Sequence, residues 1–141
     1  MTDIKVEFDD IEVSSLPDSE MIVSCIEGRL LIYINNDVFF DEDHILLVEF
    51  AQDLLRWQAK ITHGLLMDFR YSSMDYEEEG ILSFLKADDI KYWRIYSVWQ
   101  AFKSDSGIDI QHINRAIDSF ISCLRSRILS DFDYDIEKYL N

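Results

Sequence analysis

The side chains of this sequence that could do chemistry are mostly carboxylates, and they occur in short runs. Residues 72–84, "SSMDYEEEGILSF", place four carboxylates within five positions and then turn sharply apolar. Paired carboxylates can act as general acid and base when burial or a specific neighbour shifts their pKa. Exposed clusters on loops keep ordinary pKa values. Because the chain has 28 Asp and Glu residues, pairs are inevitable, and the runs alone predict no catalytic residue.

Other catalytic and metal-binding patterns are missing from the sequence. His44, His63 and His112 fall in three separate predicted elements and form no HxxxH or HExxH pair. There is no GxSxG, no P-loop and no GxGxxG. Cys25 and Cys123 have no CxxC neighbour, so we expect both to be reduced, buried and structural. We predict that the protein is not an enzyme and needs neither a metal ion nor a cofactor.

One carboxylate lies inside an apolar segment and has two interpretations. Asp68 sits between Met67 and Phe69 in a predicted strand. It is either a buried catalytic group or, as the alternation of a strand favours, an outward-facing residue.

The charge balance restricts the class of partner. Thirteen Lys and Arg residues against 28 Asp and Glu residues give a net charge of −15. A field of that sign repels nucleic-acid backbones and anionic membranes, and it speeds the encounter with a cationic protein. The alternative is that the acidity only maintains solubility.

The first half of the chain predicts two strands and a helix. Residues 3–13 alternate apolar and charged side chains, which is typical of a half-buried strand, and the Asp9-Asp10 pair indicates a bulge. A second strand, or two short ones, follows at 21–34. Residues 40–64 read as a helix with Asp41 as N-cap and Gly64 after its end.

The second half predicts three strands and another helix. The strands cover residues 65–71, 80–86 and 92–100, and their short connections favour an antiparallel meander. An apolar stripe then marks a helix capped by Asp109 or Ser106. We therefore predict one α+β domain over residues 1–141, in the order ββ-α-βββ-α. An antiparallel sheet of about five strands would carry both helices on one face.

The acid runs next to tyrosines are the predicted partner-binding surface. Tyrosines are frequent in interface hot spots, and acidic rims steer basic partners. In the alternative interpretation the tyrosines belong to the sheet core and the acids to a solvated loop. The first predicted contacts are Asp75, Tyr76, Glu77, Glu78 and Glu79, and the second are Asp88, Asp89 and Tyr92.

Two stretches of the chain carry a family resemblance. They are "EGRLLIYINNDVFFDEDHILLVEFAQDLLRW" and "DFRYSSMDYEEEGILSFLK" followed by "WRIYSVWQAF". Together they resemble a family of small bacterial proteins of the same length and layout, which in turn resemble immunity proteins of contact-dependent inhibition and related polymorphic toxin systems. The resemblance covers about residues 27–102.

The resemblance implies a protein that binds and neutralises a basic, nuclease-type toxin domain by stoichiometric association. We expect it to act in the cytoplasm as a monomer or weak dimer, since the first ten residues, "MTDIKVEFDD", have no signal-peptide pattern. Two alternatives remain open. One is an acidic adaptor or housekeeping domain, and the other is a small hydrolase that uses carboxylates and a divalent metal.

Overall fold

A computed structural model describes residues 2–13, 24–72, 80–87 and 92–140. The element bounds follow in chain order: β1 Ile4–Val13, β2 Ile26–Ile34, β3 Asp37–Leu46, α1 Leu47–Thr62, β4 Phe69–Tyr71, β5 Leu82–Lys86, β6 Tyr92–Tyr96, β7 Ile108–Asp109, α2 Ile110–Phe132 and a short 3₁₀ helix at Glu137–Tyr139.

The predicted α+β class with two main helices is confirmed, but the predicted strand count and order are wrong. The described strands form two antiparallel sheets instead of one sheet of about five strands. Sheet A has the order β1-β2-β3, and sheet B has the order β4-β5-β6-β7. The helices do not simply cover one face of one sheet, because α1 contacts β2, β3 and β4 while α2 contacts β1 and β7. Both helices therefore join the two sheets.

Sheet A depends on a tight hairpin that the sequence analysis missed. β2 and β3 are joined by Asn35 and Asn36, whose φ angles of 50° and 72° fit a type I′ turn. The side chain of Asn35 accepts a hydrogen bond from the backbone N–H of Asp3 at 2.8 Å, and its own N–H donates to the Asp3 carbonyl at 3.0 Å. The turn is thereby also attached to the start of β1.

The predicted N-terminus of the first helix is wrong. α1 begins at Leu47, six residues after the expected N-cap Asp41, which lies within β3 opposite Leu31. The acid run at 41–43 fits a helix start by charge. The hairpin overrides that preference because strand pairing buries Phe39, Phe40, Ile45 and Leu46. The predicted end is confirmed, since Gly64 adopts a φ of 87° just beyond the helix.

Sheet B is shorter than the sequence predicted. The strand expected at 65–71 is limited to Phe69–Tyr71, and the one expected at 92–100 ends at Tyr96. The N–H of Leu65 donates to the Lys60 carbonyl at the end of α1, and the carbonyl of Met67 accepts a hydrogen bond from the Trp57 indole. These backbone groups of Leu65 and Met67 are thus bonded to α1, so they do not extend β4.

The second helix has the cap that the sequence predicted. The Asp109 carboxylate accepts a hydrogen bond from the Gln111 N–H at 2.8 Å, which selects Asp109 over Ser106. The helix ends at Phe132, and Asp133 follows in the left-handed region. The acidic tail beyond it forms a single 3₁₀ turn.

A continuous series of aromatic contacts connects the two sheets through both helices. Phe8 of β1 packs edge-on against Phe120 of α2, which packs against Phe50 of α1. Phe50 also contacts β4, and the Trp57 ring lies 5.1–5.8 Å from one aromatic ring on each of β4, β5 and β6. Edge-to-face pairs at these separations stabilise beyond their buried area.

The two cysteines differ, which corrects half of the expectation. Cys25 is buried as predicted, whereas Cys123 is exposed on α2. Position 123 lies beside the apolar stripe, just outside the buried face formed by Phe120 and Leu124. Within the described ranges, no helix has the length and apolar character needed to cross a membrane.

We expect Asn35→Ala to lower the free energy of unfolding by about 1–2 kcal/mol. The variant removes the hydrogen bond from the Asp3 N–H, and it places alanine at a positive φ angle that asparagine tolerates better. Urea denaturation monitored by circular dichroism measures the change. Asn36→Gly is the matched control, and it should be neutral or stabilising since glycine suits the second position of a type I′ turn. Equal destabilisation by both variants would contradict this account of the turn.

Candidate functional site

Most of the predicted contact residues lie outside the described part of the chain. Asp75, Tyr76, Glu77, Glu78 and Glu79 belong to the connection between β4 and β5, and Asp88 and Asp89 belong to the connection between β5 and β6. The described residues that flank these two connections lie at opposite ends of β5, because one connection precedes this strand and the other follows it. Their role as contacts stays a prediction.

The remaining predicted contact, Tyr92, opens an exposed row on β6. Tyr92, Arg94 and Tyr96 are exposed, while the alternate residues Trp93 and Ile95 are buried. Tyr92 and Tyr96 expose 39% and 44% of their surface, which is high for large aromatic residues. Arg94 forms no salt bridge within the described chain. We call these three residues the β6 row.

Neighbouring strands extend the surface around the β6 row. Leu85 of β5 is paired with Arg94. Ser83 of β5 is paired with Tyr96 on one side and with Arg70 of β4 on the other. Gly107 lies against Tyr92, since a β-carbon at position 107 would be 2.8 Å from the Tyr92 Cβ. The absence of a side chain at position 107 allows this close approach of Tyr92. Exposed tyrosine and arginine side chains on a rigid strand have the composition of interface hot spots.

The two interpretations of the tyrosines, exposed surface and sheet core, each hold at different positions. Tyr92 and Tyr96 face outward, but Tyr71 is fully buried and donates a 2.9 Å hydrogen bond to the buried carboxylate of Glu49. Glu49 was not among the predicted functional residues. Its position in the apolar face of α1, between Val48 and Phe50, was the available signal.

A second candidate surface is an acidic pocket in sheet A that sequence reasoning missed. Two bulges flank the middle of β2. On one side Asp10 and Ile11 of β1 face Gly28, and on the other side two residues of β3, Asp43 and His44, face Arg29. The pocket has a volume of about 420 Å³ and is lined by Asp10, Ile11, Glu12, Glu27, Gly28, Arg29, Asp43 and His44. We call it the bulge pocket.

Backbone conformation shapes the bulge pocket. Asp10 and His44 have φ angles of 52° and 59°, which non-glycine residues seldom adopt. Bulges redirect side chains and occur often beside functional sites. Gly28 lies between them, and a β-carbon there would be 3.0 Å from the Asp9 carbonyl and 2.6 Å from Leu47. The bulge predicted at Asp9-Asp10 is thus confirmed, and it forms one wall of a pocket.

The charges at the bulge pocket favour a positively charged ligand group. Arg29 donates two hydrogen bonds to Asp41, at 2.7 and 2.6 Å, so its charge is already balanced. This contact holds the pKa of Asp41 below its usual value, and Asp41 in turn raises the pKa of Arg29. Glu42 has a raised pKa because of burial and the nearby charges of Asp41 and Asp43. Four carboxylates line the pocket, on Asp10, Glu12, Glu27 and Asp43, and the Glu27 carboxylate lies 3.6 Å from His44 Nδ1.

The other residues considered for chemistry have structural positions. Asp68 precedes β4, and its carboxylate accepts a hydrogen bond from the Lys86 N–H at 2.7 Å and one from Arg70 at 3.3 Å. It therefore extends the pairing of β4 with β5. His44 Nδ1 lies 3.6 Å from a Glu27 oxygen. Across the ranges that the structure covers, no three His, Cys, Asp or Glu side chains are placed to hold one metal ion.

Comparison with known proteins gives a family but no activity. A family model described as "Domain of unknown function (DUF7878)" matches residues 4–130, so the chain belongs to this family. No curated protein and no solved structure matches the chain.

We expect Arg29→Ala to raise the pKa of Asp41, because the variant removes the hydrogen bonds and the charge that favour the carboxylate. In the wild type the Arg29–Asp41 contact stabilises the fold above the pKa of the unfolded carboxyl, about 3.9. That contribution is lost as pH falls through the lower pKa of the folded state. NMR titration of the carboxyl carbons measures Asp41 directly. Arg56→Ala is the control and should leave Asp41 unchanged; an unshifted Asp41 in Arg29→Ala would contradict the pairing.

Proposed function

We propose that this member of the DUF7878 family is a protein inhibitor that captures a basic partner. In our proposal the partner is a nuclease-type toxin domain, the association is stoichiometric, and the chain itself catalyses nothing. The observation that carries the proposal is the bulge pocket, where four carboxylates surround an arginine that already has its own partner. The resemblance to immunity proteins supplies the toxin as the class of partner.

The net charge supports rapid capture of such a partner. At −15 the chain attracts a cationic protein over a distance of about one Debye length, roughly 8 Å at physiological salt. Complementary fields raise association rates to about 10⁸ M⁻¹s⁻¹ at low salt. A basic nucleic-acid-binding cleft presents lysine and arginine side chains, and such a side chain can enter the bulge pocket.

The β6 row would supply the part of the interface that excludes water. Tyrosine and arginine give large contact areas, and hot spots of this kind contribute more to affinity than charges at a rim do. The acid runs around residues 75–79 and 88–89 belong to the same proposal as contacts to basic side chains. Capture by this protein therefore combines long-range attraction with a short-range aromatic contact.

The proposal is tested by affinity capture from the bacterium that encodes the protein. We expect the wild type to retain one basic protein, encoded beside its own gene. Three variants separate the surfaces: Glu77→Lys/Glu78→Lys/Glu79→Lys, Glu12→Lys/Glu27→Lys, and Tyr92→Ala/Tyr96→Ala. The pocket variant should lose at least tenfold in affinity, and the tyrosine variant should mainly raise the dissociation rate.

A charge-matched control distinguishes local contacts from bulk attraction. Asp37→Lys/Asp118→Lys/Asp131→Lys changes the net charge by +6, from −15 to −9, as the triple glutamate variant does. An equal loss of affinity in both triple variants would show that only the net charge matters, and not the local contacts of residues 77–79. Retention of no basic protein by the wild type would refute the proposed function, and full binding by the pocket variant would remove the pocket from it.

A further inference from the structure

The outer edge of β1 is an open strand edge. The backbone of Asp3 bonds to Asn35, so by alternation Asp3, Lys5 and Glu7 direct their backbone groups towards β2. The N–H and C=O groups of Ile4, Val6 and Phe8 then point away from the sheet. None of these groups has a hydrogen-bond partner within the described residues. Unpaired edge groups of this kind are a template for another strand.

Helix α2 provides a second wall along this edge. A groove of about 430 Å³ runs between residues 3–7 of β1 and one side of the helix, which contributes His112, Arg115, Ala116 and Ser119. The Phe8–Phe120 contact, at 5.9 Å between ring centroids, holds the helix beside the strand. A single extended chain can lie in such a groove, one strand spacing of about 4.8 Å from β1.

The helix wall is suited to a carboxylate. Arg115 is exposed and forms no salt bridge in the described structure, whereas Arg29, Arg56, Arg70, Arg125 and Arg127 each pair with an acid. His112 has a buried Nδ1 without a hydrogen-bond partner in the same part of the chain. Asp3 and Glu7 line the strand side of the groove together with Lys5, whose ammonium group donates to Asn36. The two acids outnumber this lysine, so acidic groups of a ligand are favoured where they point at the helix.

We propose that this groove binds an extended peptide segment of a second protein, which adds to sheet A as a fourth strand beside β1. Side chains of an added strand alternate between two directions. Those directed at α2 would be acidic and would meet Arg115, and those on the other side would be apolar or polar. A whole second copy of this chain fits poorly, because its own α2 would need the same space. This interaction does not rest on the proposed function. The peptide proposed here is acidic, whereas the partner in the proposed function is basic.

The test adds a capped seven-residue peptide of alternating valine and glutamate to the protein. Amide hydrogen exchange and chemical-shift changes of the protein are then measured by NMR. In the free protein the amides of Ile4, Val6 and Phe8 should exchange faster than those of Lys5 and Glu7. At millimolar peptide we expect exchange at the first three to slow at least tenfold. Arg115→Ala should weaken peptide binding about tenfold, and the exposed control Arg94→Ala should leave it unchanged.

A peptide with lysine in place of glutamate tests the charge requirement, and it should bind at least tenfold more weakly. The proposal is overturned if neither peptide protects the three β1 amides. It is overturned equally if both peptides bind alike, or if protection appears on β3 or β4 instead. Since Arg115 is exposed and outside the core, its replacement keeps the fold intact, and the dispersion of the NMR spectrum confirms that.

Discussion

The structure depends on one chain of aromatic contacts that runs from sheet A to sheet B. Neither sheet can bury its inner face alone, because the apolar face of an open sheet must pack against another layer of secondary structure. Phe50 and Trp57 of α1 provide the connection, with Phe120 of α2 on one side and the rings of sheet B on the other. The two candidate binding surfaces are therefore held by a shared interior.

This arrangement presents two different kinds of surface to solvent. The bulge pocket of sheet A is polar and concave, and its shape comes from backbone irregularities on both sides of β2. The β6 row of sheet B lies on a regular strand, and its composition is aromatic and basic. A charged partner would be attracted by the first kind of surface and would lose water against the second. In the proposed function the two surfaces would therefore have separate roles, attraction at the bulge pocket and exclusion of water at the β6 row.

Sequence reasoning succeeded where local patterns determine the structure. The strand at β1, the bulge at Asp9-Asp10, the cap at Asp109 and the stripe of α2 each follow from spacing and side-chain chemistry within a few residues. It failed at β3, where an acid run imitates a helix N-terminus while the Asn35-Asn36 turn and cross-strand pairing decide the outcome. It also failed to divide the strands into two sheets, because that division depends on contacts between distant parts of the chain.

The candidate site shows the same limit. Tyr92 was predicted from its neighbours, but the bulge pocket combines residues from three strands that no local pattern connects. Glu49 and Tyr71 illustrate the other interpretation of the tyrosines, since Tyr71 belongs to the core and is the buried partner of an acid in a helix. Three-dimensional neighbours, rather than residue type, decide which polar side chains are available to a partner.

The alternation along β6 also bears on how such a protein can evolve. Trp93 and Ile95 belong to the interior, whereas Tyr92, Arg94 and Tyr96 make little contribution to it. Mutations at the three outward positions can therefore accumulate without loss of folding. Two lineages could diverge in the partner each accepts while they retain the same scaffold. If the β6 row contacts a partner as proposed, this strand of five residues would let the contact surface change while the fold stays the same.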